Sequence, residues 1–259
     1  MTSASRPRTD TQAYHRFVVC VLAVSDEMDE LLHAGPSAAG NAQLILACGD
    51  LPFDYLDYLM NALDVPLVFV PGNHDPDVSG YRLSRSGLIL RDGMPARPPW
   101  PDGAVNADCR VVDVAGLRVA GLGGCRRYRS GPNQYTDRQQ ARRARALSRR
   151  ARWRRLRDGR GVDVLITHAP PRGVGDAGDP PHQGFSALRG LVSRLQPVAL
   201  LHGHVAPCEI PAGERWLGST SVRNVTGSHL LEIEPGSPGR GPGTAGTVRD
   251  LPAGRRRAR

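Results

Sequence analysis

An amide, an imidazole and a carboxylate stand side by side in Asn73-His74-Asp75, directly after the apolar run Val65-Pro66-Leu67-Val68-Phe69-Val70 and the turn formers Pro71-Gly72. Open α/β sheets bind their ligands at the carboxyl ends of their strands, so such a triplet suggests a metal site there. Three more apolar runs end in the same way: residues 44–48 lead into Gly49-Asp50, residues 162–167 into His168, and residues 198–201 into His202-Gly203-His204. Brought to one sheet edge, Asp50, Asn73, His168 and His204 would form a mixed oxygen and nitrogen cage for a divalent transition metal. Neutral imidazoles suit Mn, Fe or Zn better than Mg. His202 precedes Gly203 and points away from that edge by strand alternation.

In order and spacing these residues resemble the calcineurin-like metallophosphoesterases, whose pattern is D-x-H, GD, GNH(D/E), H and GH-x-H. The resemblance covers roughly residues 17–234, and the ordered set is far more specific than any one member. It looks closest to a bacterial branch with Ser-Asp-Glu at the first motif, here Ser25-Asp26-Glu27, and Thr-His-Ala-Pro-Pro at the fourth, here Thr167 to Pro171. The resemblance implies an α/β fold, a four-layer α-β-β-α sandwich with two central mixed sheets, and a two-metal site that hydrolyses phosphate esters. It makes Asp50 the bridging carboxylate and Asn73, His168 and His204 the remaining ligands of one metal, with Asp26 belonging to the other. It also implies that His74 is the general acid and that Asp75 orients its imidazole.

Two positions depart from the pattern: the histidine of the first motif falls at Met28 and the last histidine at Ala206. Both losses strike the metal that Asp26 would serve, and neither a thioether nor a methyl group replaces an imidazole on a borderline cation. Glu27, Asp29, Cys208 and Glu209 are near enough in sequence to be considered as substitutes, although Glu27 should face the opposite side of the strand from Asp26. Asp176, Asp179 and His182 lie in a Gly/Pro-rich loop where they either approach the site or form surface turns. Arg126, Arg127 and Tyr128 follow Gly123-Gly124 and offer a phosphate contact.

The elements that must position these groups read as an α/β order. A first strand over residues 17–24, a short helix near residues 27–33, a strand over 44–48, a helix over 54–63 and a strand over 67–70 come first. Residues 79–108 read as a surface excursion, and residues 109–114 and 117–122 as a hairpin around Ala115-Gly116. Thr136-Asp137-Arg138-Gln139 is a capping box opening a helix that should end near Gly159, followed by a strand over 162–167, a helix over 186–195 and a strand over 198–202. The expected organisation is one catalytic-type domain over residues 15–234 between disordered tails, 1–14 and the Gly/Pro/Arg-rich 235–259.

The 259 residues carry a net charge of +9, yet all 34 basic residues are arginine, so base composition explains much of the charge. Ten of the twenty residues from 141 to 160 are arginine, which reads as a solvated helix face or as a docking surface for nucleic acid phosphates. Five scattered cysteines without a C-x-x-C pair suggest a reduced, cytoplasmic chain, and no apolar run approaches the roughly 20 residues that span a bilayer. The expected function is hydrolysis of a phosphomonoester or phosphodiester by metal-activated water. A one-metal binding module and a nuclease are the competing readings.

Overall fold

Uninterrupted apolar runs become strands buried on both faces, as a sheet covered on each side requires. The computed structural model describes residues 17–209, 214–236 and 246–251. In chain order it contains β1 (Val19–Ser25), α1 (Glu30–Ala34), β2 (Leu44–Ala47), α2 (Phe53–Leu63) and β3 (Leu67–Phe69). The short strands β4 (Tyr81–Leu83), β5 (Ile89–Arg91), β6 (Met94–Pro95) and β7 (Val105–Asn106) follow. Next come β8 (Val111–Val114), β9 (Leu117–Leu122), β10 (Cys125–Arg126), β11 (Gln134–Tyr135), α3 (Asp137–Asp158), β12 (Val164–Thr167), α4 (Ser186–Leu195) and β13 (Ala199–His202). The described chain ends with β14 (Arg215–Leu217), β15 (Thr220–Asn224), β16 (Gly227–Ile233) and β17 (Val248–Asp250).

Two mixed six-stranded sheets result, in the orders β17-β16-β1-β2-β3-β7 and β14-β15-β13-β12-β9-β8. Along β1, Val19, Val21 and Ala23 face the second sheet while Leu22 and Val24 face the helices, the two-residue alternation of a pleated strand. Between the sheets, Val21, Leu46 and Val68 pack with Val119, Ile166 and Leu201. Leu32 of α1 and Tyr55, Leu56 and Leu59 of α2 cover the outside of the first sheet. Leu147 of α3 and Leu188, Leu191 and Val192 of α4 cover the outside of the second. The architecture is the four-layer α-β-β-α sandwich the sequence implies.

Local signals in the sequence are realised where they are strong. Thr136 accepts the Gln139 backbone N–H while the Gln139 side chain takes the Thr136 N–H, and α3 ends at Gly159 in the left-handed conformation at φ 74°. The β8–β9 hairpin turns at Ala115 and Gly116, with φ 45° and 82°. The excursion over 79–108 contains a three-stranded meander, β4-β5-β6, and β7 adds to the edge of the first sheet. The disordered tail expected over 235–259 is corrected in part: β17 pairs antiparallel with β16, and Val248 packs against the inter-sheet core. A three-residue strand inside Gly/Pro/Arg-rich flanks is too short to register in composition. The expected tail 1–14 lies outside the described residues, as do 237–245 and 252–259.

Arg118 on β9 is 2 % exposed and ties the hairpin to the end of α3. It donates to Asp113 at 2.7 Å, to Asp158 at 2.7 Å and to the Arg160 carbonyl at 2.9 Å. Its charge holds both carboxyls below the usual range. Groups with depressed folded pKa values stabilise above the unfolded value near ~3.9 and lose that contribution as the pH falls through the folded one. Arg118→Met should therefore lower the melting temperature by about 5 °C at neutral pH. The gap between parent and variant in thermal melts should narrow below about pH 4.

Candidate metal centre

The parallel strands of both sheets point their carboxyl ends the same way, so five strand exits meet: Asp26 after β1, Asp50 after β2, Asn73 after β3, His168 after β12 and His204 after β13. Three of these residues sit in the left-handed region, Asp26 at φ 61°, Asp50 at φ 57° and His204 at φ 70°. Non-glycine residues held there cost about 1–3 kcal/mol each and persist only where surrounding contacts hold them. Here carboxylates do so. Asp50 Oδ1 accepts the His74 N–H at 2.7 Å, Asp26 Oδ2 accepts the His204 N–H at 2.9 Å, and Asp75 Oδ2 accepts the N–H groups of Gly72 at 2.7 Å and Asp50 at 3.1 Å. The approach is so close that a Cβ on Gly72 would lie 2.0 Å from Asp50 Oδ1, and one on Gly203 2.0 Å from Asp26 Oδ2.

Ligand atoms of Asp50, His168 and His204 lie within 4.8 Å of one another. His168 is fully buried, and its Nδ1 lies 2.8 Å from the Cys48 carbonyl, to which it donates. Its Nε2 then faces two acceptors, Asp50 Oδ2 at 3.2 Å and Asn73 Oδ1 at 3.1 Å. A nitrogen between two oxygens needs a positive species among them, either a proton or a cation. Burial works against charge on this ring, but the adjacent Asp50 carboxylate outweighs it and lifts His168 to about 9. Burial likewise opposes the charge on Asp50, and His168 brings that carboxyl below its usual value all the same.

His204 Nε2 lies 2.9 Å from the Pro181 carbonyl, which leaves Nδ1 with a free lone pair. Burial, and then the nearby His168, hold its pKa down to about 3, so the ring is neutral. Carboxylate oxygen, amide oxygen and two imidazole nitrogens make a donor set that fits Mn, Fe or Zn. Asn73 is 4 % exposed, and its Nδ2 donates to the Tyr128 hydroxyl at 3.4 Å.

Other predicted residues are placed differently. His74 is exposed, and among the described residues its imidazole has no hydrogen-bond partner. The expectation that Asp75 orients it is corrected: Asp75 is buried beneath the turn, reaches back to the backbone of Gly72 and Asp50, and its carboxyl is raised by burial. Asp26 is not among the residues whose ligand atoms lie within 4.8 Å of one another, although it bonds the His204 N–H beside them. Met28 is 51 % exposed, Glu27 is exposed, and Asp29 caps α1 through the N–H groups of Leu31 and Leu32. Of the substitutes considered on the far side, Cys208 is exposed and Glu209 lies 3.6 Å from His182 Nδ1.

His182 also pairs with Asp179 at 2.9 Å, and its ring packs edge-on against His204 at 5.3 Å. Asp176 closes its own turn on the N–H groups of Gly173 and Gly184. Arg126 engages Gln183 and Asp137, and Arg127 the Gln134 carbonyl. His202 is buried and turned from the site, its Nδ1 3.0 Å from the Gly203 carbonyl, with burial pulling it down to about 4. Sequence reasoning missed the carbonyls of Cys48 and Pro181, which set both imidazoles, because a backbone oxygen has no residue signature. It also missed Asn133, whose amide bonds the carbonyls of Asp75 at 3.2 Å and Pro76 at 3.3 Å; Gly131-Pro132-Asn133 signals a turn but not what the turn reaches.

A family model described as calcineurin-like phosphoesterase matches residues 20–208. A solved crystal structure is similar in fold at 15% identity and a TM-score of 0.57, over 92% of this chain and 100% of that one. The crystal structure of TT1561 of Thermus thermophilus is similar at 17% identity and a TM-score of 0.52, over 83% of this chain and 94% of that one. No curated protein matches the sequence significantly.

Binding of a divalent cation at this centre must displace the proton from His168, so affinity should rise with pH up to about 9. Calorimetric titration with manganese at pH 7.5, in two buffers of different ionisation enthalpy, should show release of about one proton per ion bound. A heat independent of the buffer would contradict the proton on His168. Gly72→Ala, which forces Asp50 aside, should weaken manganese binding by about 10- to 100-fold.

Proposed function

The chain belongs to the calcineurin-like phosphoesterase family, and from that membership we propose that it hydrolyses a phosphomonoester or phosphodiester at a centre formed by Asp50, Asn73, His168 and His204. The observation that carries this reading is the buried His168 Nε2 set between Asp50 Oδ2 and Asn73 Oδ1, an arrangement that calls for a cation. A divalent ion bound there supplies a water of lowered pKa and neutralises charge on the phosphoryl oxygens. The protein's own part is to hold the donors. The Cys48 and Pro181 carbonyls fix the two rings, and the left-handed Asp50 aims one oxygen at the His74 N–H and the other at His168.

His74 is the group suited to protonate the leaving oxygen. Its backbone is pinned to Asp50, and its exposed imidazole is free to meet a substrate. Tyr128, next to Asn73, is in place to contact a substrate oxygen. A second reading, a one-metal ligand-binding module, draws support from the exposed Met28, from alanine at position 206, and from Asp26 Oδ2 being taken up by the His204 N–H.

The two readings separate in one experiment: metal-stripped protein is titrated with manganese while hydrolysis of bis(4-nitrophenyl) phosphate is followed. Turnover should appear with metal. Loss of residues that merely support a ligand costs about 10- to 100-fold, so His204→Ala should cost more than about 100-fold. His74→Ala should lower kcat by about 10²- to 10⁴-fold with manganese binding unchanged, as removal of a proton donor does. Manganese binding without turnover on mono- and diester substrates alike would favour the binding module. Ala206→His would then be expected to raise metal stoichiometry.

A further inference from the structure

Nine of the ten arginines of α3 fall into two sets, the tenth being the exposed Arg155. Arg143 pairs with Asp108, Arg150 donates to the Cys109 carbonyl, Arg154 pairs with Asp113, and Arg157 lies over the Trp153 ring. Arg138, Arg142, Arg145, Arg149 and Arg152 are all exposed and have no ion-pair or hydrogen-bond partner among the described residues. Their spacing of four, three, four and three residues sets them in one ridge, about 21 Å long at 1.5 Å per residue. The buried residues of the helix are Gln140, Ala144, Leu147 and Ala151, so at 3.6 residues per turn the ridge faces directly outward.

Chain-wide arginine use explains the residue type but not this sorting. Like charges three or four residues apart on a helix repel, and no acidic residue lies between Arg138 and Arg157 to relieve them. An open groove of about 800 Å³, lined in part by Arg110, Arg149 and Trp153, flanks one side of the ridge. Another of about 710 Å³, lined in part by Arg145, Arg149 and Arg152, flanks the other. Trp153, 65 % exposed, stands at the edge of the ridge.

We infer that this face of α3 binds single-stranded nucleic acid, the arginine ridge following the phosphates and Trp153 stacking on a base. Cations at a regular interval match a polymer that carries one charge per repeat, and guanidinium groups fork onto phosphate oxygens. An aromatic ring beside a basic track is the means by which single strands are held without regard to sequence. Insertion into an anionic membrane needs a continuous apolar face; Ala144, Leu147 and Ala151 are packed against the second sheet, and the large apolar side chains that α3 exposes are only Trp153 and Leu156. This inference goes beyond the proposed hydrolysis and stands independently of it.

The test is fluorescence anisotropy of a labelled 20-nucleotide oligothymidine with metal-stripped protein in EDTA, so that no hydrolysis intervenes. Log affinity should fall with log salt at a slope of about −3.5, five phosphates at about −0.7 each. R145Q/R149Q should weaken binding at least tenfold at 50 mM salt and flatten the slope by about 1.4. R82Q/R85Q, which removes the same charge from elsewhere, should change the affinity less than twofold. Trp153→Ala should lower it about tenfold. Circular dichroism should show every variant folded. Equal losses in the two double variants would reduce the effect to net charge and overturn the inference. Absence of binding at 50 mM salt, or capture of phosphatidylserine vesicles in preference to the oligonucleotide, would overturn it as well.

Discussion

Carboxylates accepting backbone N–H groups from neighbouring strand exits are the interaction on which the candidate centre depends. Asp26 ties the exit of β1 to that of β13, Asp50 ties the exit of β2 to the turn after β3, and Asp75 closes that turn while returning to Asp50. Each bond is charge-assisted, and those of Asp26 and Asp75 are partly or wholly screened from water, where such bonds are strongest. They hold Asp26, Asp50 and His204 in a backbone region that L-residues avoid, and so set where the side chains point. Glycine at 72 and 203 follows from the same bonds, since any Cβ would occupy the space of the accepting oxygens.

That dependence divides the carboxylates by task. Asp50 accepts an N–H through one oxygen and faces His168 through the other, so it can organise the loop and serve the centre together. Asp75 directs one oxygen to two N–H groups and lies beneath the turn, which makes it a positioning residue for Asp50 and leaves His74 free. Asp26 accepts the His204 N–H through Oδ2, as Asp50 accepts that of His74 through Oδ1. Methionine at 28 and alanine at 206 leave Asp26 without the two imidazoles of the family pattern, and its bond to His204 also joins the two sheets.

What the sequence discloses follows from how local each determinant is. The strand exits that carry Asp50, Asn73, His168 and His204 were legible because a short apolar run bounded by turn formers fits a strand buried on both faces, and parallel strands share a carboxyl edge. The start of α3 was legible because a capping box acts within four residues. Strands β4 to β7 were not, being two or three residues long, shorter than any alternation that could reveal them. Nor was β17, which exists only because the edge of β16 accepts it. The pairing of Asp75 with His74 failed for a different reason: adjacency in sequence says nothing of direction, and a turn carries the carboxylate toward the residue three positions back.

The arginine helix shows why composition alone could not decide its meaning. A chain whose 34 basic residues are all arginine uses the same side chain for anchoring and for display. Arg143 and Arg154 meet carboxylates on the loop before β8 and on β8 itself, and Arg118 draws Asp158 at the end of α3 onto the β8–β9 hairpin. These bonds hold one flank of the helix against the edge of the second sheet. No acidic residue lies between Arg138 and Arg157, and the ridge arginines have no ion-pair partner among the described residues. The start of α3 is meanwhile joined to the centre, through Arg126 to Asp137 and through the Gln140 amide to the Gly123 carbonyl. The one helix thus carries two kinds of arginine: those bonded to the second sheet and its preceding loop fix its position, and those on the outward ridge give that face a local positive potential that net charge alone does not describe.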